Sequence, residues 1–261
     1  MVILNEREYV RGIIERHNKN EKINLNKLIT YIVKYYYNDY KDAALYEYIE
    51  KVLEVLASFE YSDIYYREGQ KYDYIKKLCK KAQKGQLDTT FRELESISVT
   101  EDEIQIIAKG KNDKEKKLLF TLYVLAKVYG YHSGWVNYPP SEIFKLANVT
   151  LKYEDRFLLI HELYKAKLIQ LNHIIGKTGY CVELHEDSPA VITIPNKEYN
   201  KPDHFGNQYM AYIKGNDWRV CEKCGRLIKK KSNKQKYCKR CASDIKKKQI
   251  SDWKKEKIEN C

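Results

Sequence analysis

Along the first 85 residues, apolar side chains recur at intervals of three and four, the period of a helix with one buried face. Asn5 followed by Glu8 has the spacing of a capping box, and Val10, Ile13 and Ile14 then share a face. Leu25, Leu28, Ile29, Ile32, Val33 and Tyr36 mark a second helix, and Leu45, Ile49, Val52, Leu53, Leu56 and Phe59 a third. Ile75, Leu78, Cys79 and Ala82, ending at Gly85, mark a weaker fourth. Residues 1–99 are therefore expected to form a helical N-terminal domain. Twelve of the 24 tyrosines fall between Tyr31 and Tyr74. Exposed, such rings would stack on nucleobases; the plainer expectation is that each packs by its ring and wets its hydroxyl.

Residues 86–111 read as a connector carrying one short helix, opened by a capping box of Thr100 and Glu103 and closed by Gly110. After Asn112 the pattern sharpens. A helix with Leu118, Leu119, Leu122, Leu125, Ala126 and Tyr129 inside leads to a short β-prone stretch, SGWVNYPP. Pro139 and Pro140 suit the start of a brief helix holding Ile143, Phe144, Leu146 and Ala147. A turn over 148–151 precedes a third helix with Phe157, Ile160, Leu163 and Tyr164 inward, and then IQLNHII and YCVEL flank a Gly-Lys-Thr-Gly turn. Val191 to Ile194 is expected to add a strand to that hairpin.

This order of elements resembles the winged helix-turn-helix, with a domain at 100–195. The resemblance implies that the third helix faces bases with Lys152, Tyr153 and Arg156, while the wing meets phosphates with Lys177 and Thr178. The third helix has a net charge of only +1 over 150–169, which equally suits docking to protein.

Residues 196–218, with several Asn and Pro202, read as a linker. Beyond them, CEKCGRLIKKKSNKQKYCKRC places Cys221 and Cys224 thirteen residues before Cys238 and Cys241. Two Cys-x-x-Cys turns supply the four soft ligands of a tetrahedral zinc ion. A rubredoxin-like iron site and redox dithiols are the competing readings. Gly225 suits a tight knuckle, and the second pair would open a basic helix whose N-terminus favours thiolate. The arrangement resembles a treble-clef zinc finger over 219–261, with one structural zinc ion. Cys79 and Cys181 read as small core side chains and Cys261 as an exposed thiol.

The formal net charge of +12 is concentrated in this tail. Residues 219–261 hold 16 Lys or Arg against 5 Asp or Glu, leaving 32 against 31 for residues 1–218. With four thiolates on one divalent ion the tail still carries about +9. Lys229, Lys230, Lys231, Lys234 and Lys236, expected on a hairpin, and Lys239, Arg240, Lys246, Lys247 and Lys248 beyond it are candidate phosphate contacts.

The expected fold class is mainly α: a helical domain, a winged helix and a small metal-ordered finger. No P-loop, GxSxG, HExxH or Rossmann glycine pattern appears, and the six histidines lack matched partners, so no catalysis is expected. MVILNEREYV turns polar after four residues and no apolar run approaches the ~20 needed to span a bilayer, so the expected compartment is the cytoplasm, without a membrane partner. The whole resembles uncharacterised phage or mobile-element proteins that join helical and winged-helix regions to a CxxCG…YCxxC finger. That resemblance implies DNA association. A protein-interaction module acting on a host complex is the second expectation, and RNA binding the third.

Overall fold

The computed structural model describes residues 3–16, 24–59, 68–130, 133–172, 179–195 and 205–259. It is mainly helical with small antiparallel sheets, and it divides into two compact units, Val2–Glu95 and Ser96–Cys261.

In the first unit, α1 (Glu6–Arg16), α2 (Leu25–Tyr40), α3 (Leu45–Ala57) and α4 (Glu68–Gln83) close around one apolar core. The amphipathic spacing accounts for it: Leu28, Ile32, Val33, Val52, Cys79 and Ala82 are all fully buried. Asn24 caps α2 by accepting from the Asn26 and Lys27 amides. The tyrosines belong to this packing. Tyr48 is buried and donates its hydroxyl to the Val33 carbonyl, while Tyr40 stacks on its ring at 5.7 Å and Tyr35, Tyr36 and Tyr37 lie half-buried against the core. The segment expected to lead out as a connector instead returns to the chain start. Glu6 N–H donates to the Arg92 carbonyl, Leu94 N–H donates to the Leu4 carbonyl, and Arg7 pairs with Glu93 at 2.7 Å.

The second unit is built on α6 (Asp113–Tyr129), which follows β1 (Ser96–Thr100) and α5 (Glu101–Ala108). Eleven of its residues are buried, among them Leu118 to Ala126 without a break. A helix buried on nearly every side needs neighbours all round. They are α5, β1, β2 (Trp135–Val136), α7 (Pro140–Leu146), β4 (Tyr180–Cys181) and α9 (Phe205–Lys214). Between α7 and β4 come α8 (Tyr153–Lys165) and β3 (Gln170–Leu171). Strands β2, β4 and β3 form one sheet in that order, and Asn172 N–H donates to the Gly179 carbonyl to extend the β3–β4 hairpin. Asn148, at φ 52°, turns the chain between α7 and α8; Asn is among the residues that adopt this left-handed conformation at least cost.

Two expectations need correction. Residues 190–195 form β5 (Ala190–Pro195), which pairs with β1 rather than with the hairpin sheet. The register places Ile97 opposite Ile194 and Val99 opposite Ile192, so four branched apolar side chains bury together. Nor is 196–218 a linker over its described part: α9 occupies it, with Phe205, Tyr209 and Met210 buried. Tyr209 meets Phe120 of α6 at 5.7 Å. Gly206 permits the approach, since a Cβ there would stand 2.1 Å from the Ala147 carbonyl oxygen.

The capping box at Thr100 is present, and its carboxylate does more than cap. Glu103, fully buried, accepts from the Thr100 and His185 amides and pairs with Lys127 of α6 at 3.0 Å. One carboxylate thereby ties β1, α5, α6 and the approach to β5 together.

Candidate metal centre and its basic surround

After α9 and a 3-10 turn at Gly215–Asp217, β6 (Trp218–Val220) and β7 (Leu227–Lys229) pair antiparallel, Trp218 opposite Lys229 and Val220 opposite Leu227. Their turn is the first cysteine knuckle. Cys221 N–H donates to the Arg226 carbonyl, and Gly225 N–H donates to the Cys221 carbonyl. Gly225 sits at φ 69°, a conformation that a residue without Cβ adopts freely. A loop then leads to Cys238 and to α10 (Lys239–Glu259), whose first turn carries Cys241. Glu222 N–H donates to the Lys236 carbonyl, and Arg219 donates to the Asn233 and Gln235 carbonyls, so the loop is laced to the hairpin.

The four thiol sulfurs lie within 4.8 Å of one another, and those of Cys224 and Cys238 are 3.8 Å apart. Metal–sulfur bonds of about 2.3 Å at tetrahedral corners put sulfurs about 3.8 Å apart, so the set fits a four-thiolate metal centre. Among the described residues no other group of His, Cys, Asp and Glu is so placed. Backbone amides already aim at the sulfurs, Cys238 N–H at Cys221 Sγ (3.2 Å) and Cys241 N–H at Cys238 Sγ (3.4 Å). Cys221, Cys238 and Cys241 are buried, with Ile228 and Tyr237 packed on them.

The electrostatics of the cluster are uneven. At Cys221 burial opposes ionisation, but amide donation from Cys238, Cys224 and Lys223 overrides it and brings the thiol down to about 6. At Cys241 burial and then the neighbouring thiols push it up to about 12, and burial raises Cys224 as well. Four thiolates cannot share this space unless a cation offsets their charge, and a divalent ion is such a cation.

The predicted basic residues surround the cluster. Lys229, Lys231, Lys234, Lys236, Lys239, Arg240, Lys246, Lys247 and Lys248 are exposed, and Lys230 is half-buried. Only Lys229 lies on the hairpin; Lys230 to Lys236 occupy the loop before Cys238. On α8, Lys152 and Tyr153 are exposed at its start. Arg156 instead folds back, its Nε donating to the Leu151 carbonyl and its guanidinium lying 5.6 Å from the centre of the Phe144 ring. The outward side of α8 exposes Tyr153, Leu158 and Phe157 (73%, 63% and 46%), the last expected inward, beside the exposed charges of Glu154, Asp155 and Lys165. The expected wing contacts Lys177 and Thr178 lie outside the described residues.

Sequence reasoning passes over Asn207, Trp218 and Arg226. Asn207, buried on α9, accepts from Asn148 at 3.0 Å and donates to the Leu227 carbonyl at 3.5 Å, linking the α7–α8 turn to the β6–β7 hairpin. Arg226 stands inside the cysteine spacer, where five lysines draw the attention. No helix among the described residues is long and apolar enough to cross a membrane. No family model, curated protein or solved structure matches this chain.

Proposed function

We propose that this chain is a non-enzymatic nucleic-acid-binding protein that grips duplex DNA through a finger ordered by one structural zinc ion. Cys221, Cys224, Cys238 and Cys241 would hold the ion, and with all four corners taken by protein sulfur no position is left to activate water. The observation that carries the reading is the crowd of exposed cations around that cluster, ten among the described residues when Lys223 of the first knuckle is included. Cations so placed bind phosphates by releasing counterions, independent of sequence. Residues 100–195 are read as a winged helix, with Lys152 and Tyr153 at the start of α8 as its base-facing groups. Reduced thiols and a polyanionic partner are both at home in a cytoplasm, bacterial or that of a phage-infected host.

The test is a salt series on labelled duplex DNA with the zinc-loaded full chain and with Lys229, Lys231 and Lys234 changed to Gln. For every phosphate that a changed lysine would otherwise neutralise, the slope of log affinity against log salt should fall by roughly 0.9. An unchanged slope would sink the reading, and tighter binding to RNA than to duplex DNA would redirect it.

The exposed Tyr153, Phe157 and Leu158 favour a second reading, in which α8 docks a protein. Changing Tyr153 and Leu158 to Ser separates the two. Weakened DNA affinity supports base reading by α8; unchanged DNA affinity leaves this face to a protein partner.

A further inference from the structure

An open groove of about 680 Å³ lies where α9, the α7–α8 turn, the β6–β7 hairpin and the first turn of α10 converge. A water occupies about 30 Å³ of liquid, so the groove has room for about twenty, far more than one bound ion displaces. Its chemistry is one-sided. Arg226, Lys229, Lys231, Lys239 and Arg240 line it, and no carboxylate does. Lys229 is also close enough to Lys117 to help lower that residue's pKa, after the larger effect of burial.

The groove also carries an aromatic wall, Trp218, beside Leu227. Two donors on its lining residues, Trp218 Nε1 and Arg226 Nε, are buried with no acceptor. Folded chains leave few buried donors unpaired, and a bound water or ion is one of the accepted reasons. Fixed cations beside an aromatic face are the means by which single strands are held, phosphate on the cations and base on the ring. In a duplex both faces of an internal base are already stacked, so such a base cannot reach Trp218.

We propose that this groove holds one unpaired nucleotide, its phosphate against Arg226 and the Lys239–Arg240 pair and its base against Trp218. The protein then prefers a duplex with a single-stranded overhang to a blunt one. This rests on the reading of the chain as a nucleic-acid-binding protein, and it adds the form of the polymer that is held.

The experiment compares the zinc-loaded full chain on a labelled blunt duplex and on the same duplex with a short overhang. Stacking of a single base predicts roughly tenfold tighter binding of the overhang. Trp218→Leu and Arg226→Lys, the latter keeping its charge, should bring the overhang down to the blunt affinity while leaving the blunt affinity within about twofold. Zinc content at one ion per chain verifies that each variant is folded; if Trp218→Leu fails that check, Trp218→Phe and Arg226→Lys decide. Equal affinity for blunt and overhanging duplex, or equal losses on both in the variants, overturns the groove and leaves the duplex reading standing. Binding to neither DNA at moderate salt overturns both.

Discussion

The helical unit Val2–Glu95 and the four-cysteine segment at 218–259 are built around opposite interiors. In the first, Leu28, Ile32, Val33 and Val52 are fully buried within one continuous apolar core. In the second, three of the four cysteines are the buried residues, with Ile228 and Tyr237 only partly covered. A core is distributed, so its stability declines side chain by side chain; a metal centre is concentrated, so it is present or lost. The lesson is that the charge-rich part of this chain keeps its shape without an apolar interior, which frees nearly all of its surface for polar work.

The sharpest way to break that contrast is to deny the four thiols the metal proposed for them. If that metal is the proposed structural zinc, which contributes on the order of 10 kcal/mol, chelation, or Cys221→Ser, should abolish amide protection across 218–241 in hydrogen exchange. Protection at 28–33 and 49–56 should persist. Acid should have the same selective effect: thiols must lose protons to bind metal, so affinity is highest at alkaline pH and declines as pH falls. Loss of protection in both regions together would mean that the helical unit also depends on the metal.

Next in size is the buried carboxylate. Glu103→Ala leaves Lys127 without its partner, and breaking such a pair costs about 3–5 kcal/mol. The denaturant midpoint of the 96–261 unit should fall accordingly, while the zinc content of folded protein stays at one.

Leu28→Ala addresses the distributed core, with an expected loss of about 2–5 kcal/mol. That loss should appear in exchange rates within 2–95 and leave metal affinity unchanged. The smallest effect belongs to the packing of α9. Gly206→Ala meets the Ala147 carbonyl and Lys117, so a destabilisation of about 1–3 kcal/mol is expected, read as a lower melting temperature at saturating zinc.

Much of this architecture was legible because its causes are local. The spacing of Leu118 to Ala126 announces a buried helix, Thr100 and Glu103 announce a helix start, and two Cys-x-x-Cys turns announce a four-thiol cluster, each within a short window. What escapes depends on distant partners. The pairing of β5 with β1 joins residues 90 to 99 positions apart, and nothing in AVITIP indicates which strand it will meet. The helix α9 is obscured by Pro195 and Pro202 before it, although Phe205, Tyr209 and Met210 have helical spacing. Arg156 has the look of a reading residue because a basic side chain at the start of a third helix usually points outward; here the Phe144 ring and the Leu151 carbonyl hold it back. Trp218 and Arg226 gain interest only when the fold sets them on one groove.

Asn207 carries a further consequence. Its one amide group joins the α7–α8 turn to the β6–β7 hairpin, across a segment whose sequence reads as a loose tether. A tether lets two contact surfaces find their own separation on a polymer and charges the loss of freedom to each encounter. A bracket fixes that separation when the chain folds. The start of α8 and the basic loop around the cysteines are therefore held like the jaws of a caliper set to one gap, and a ligand touching both must match that gap rather than stretch the protein to suit itself.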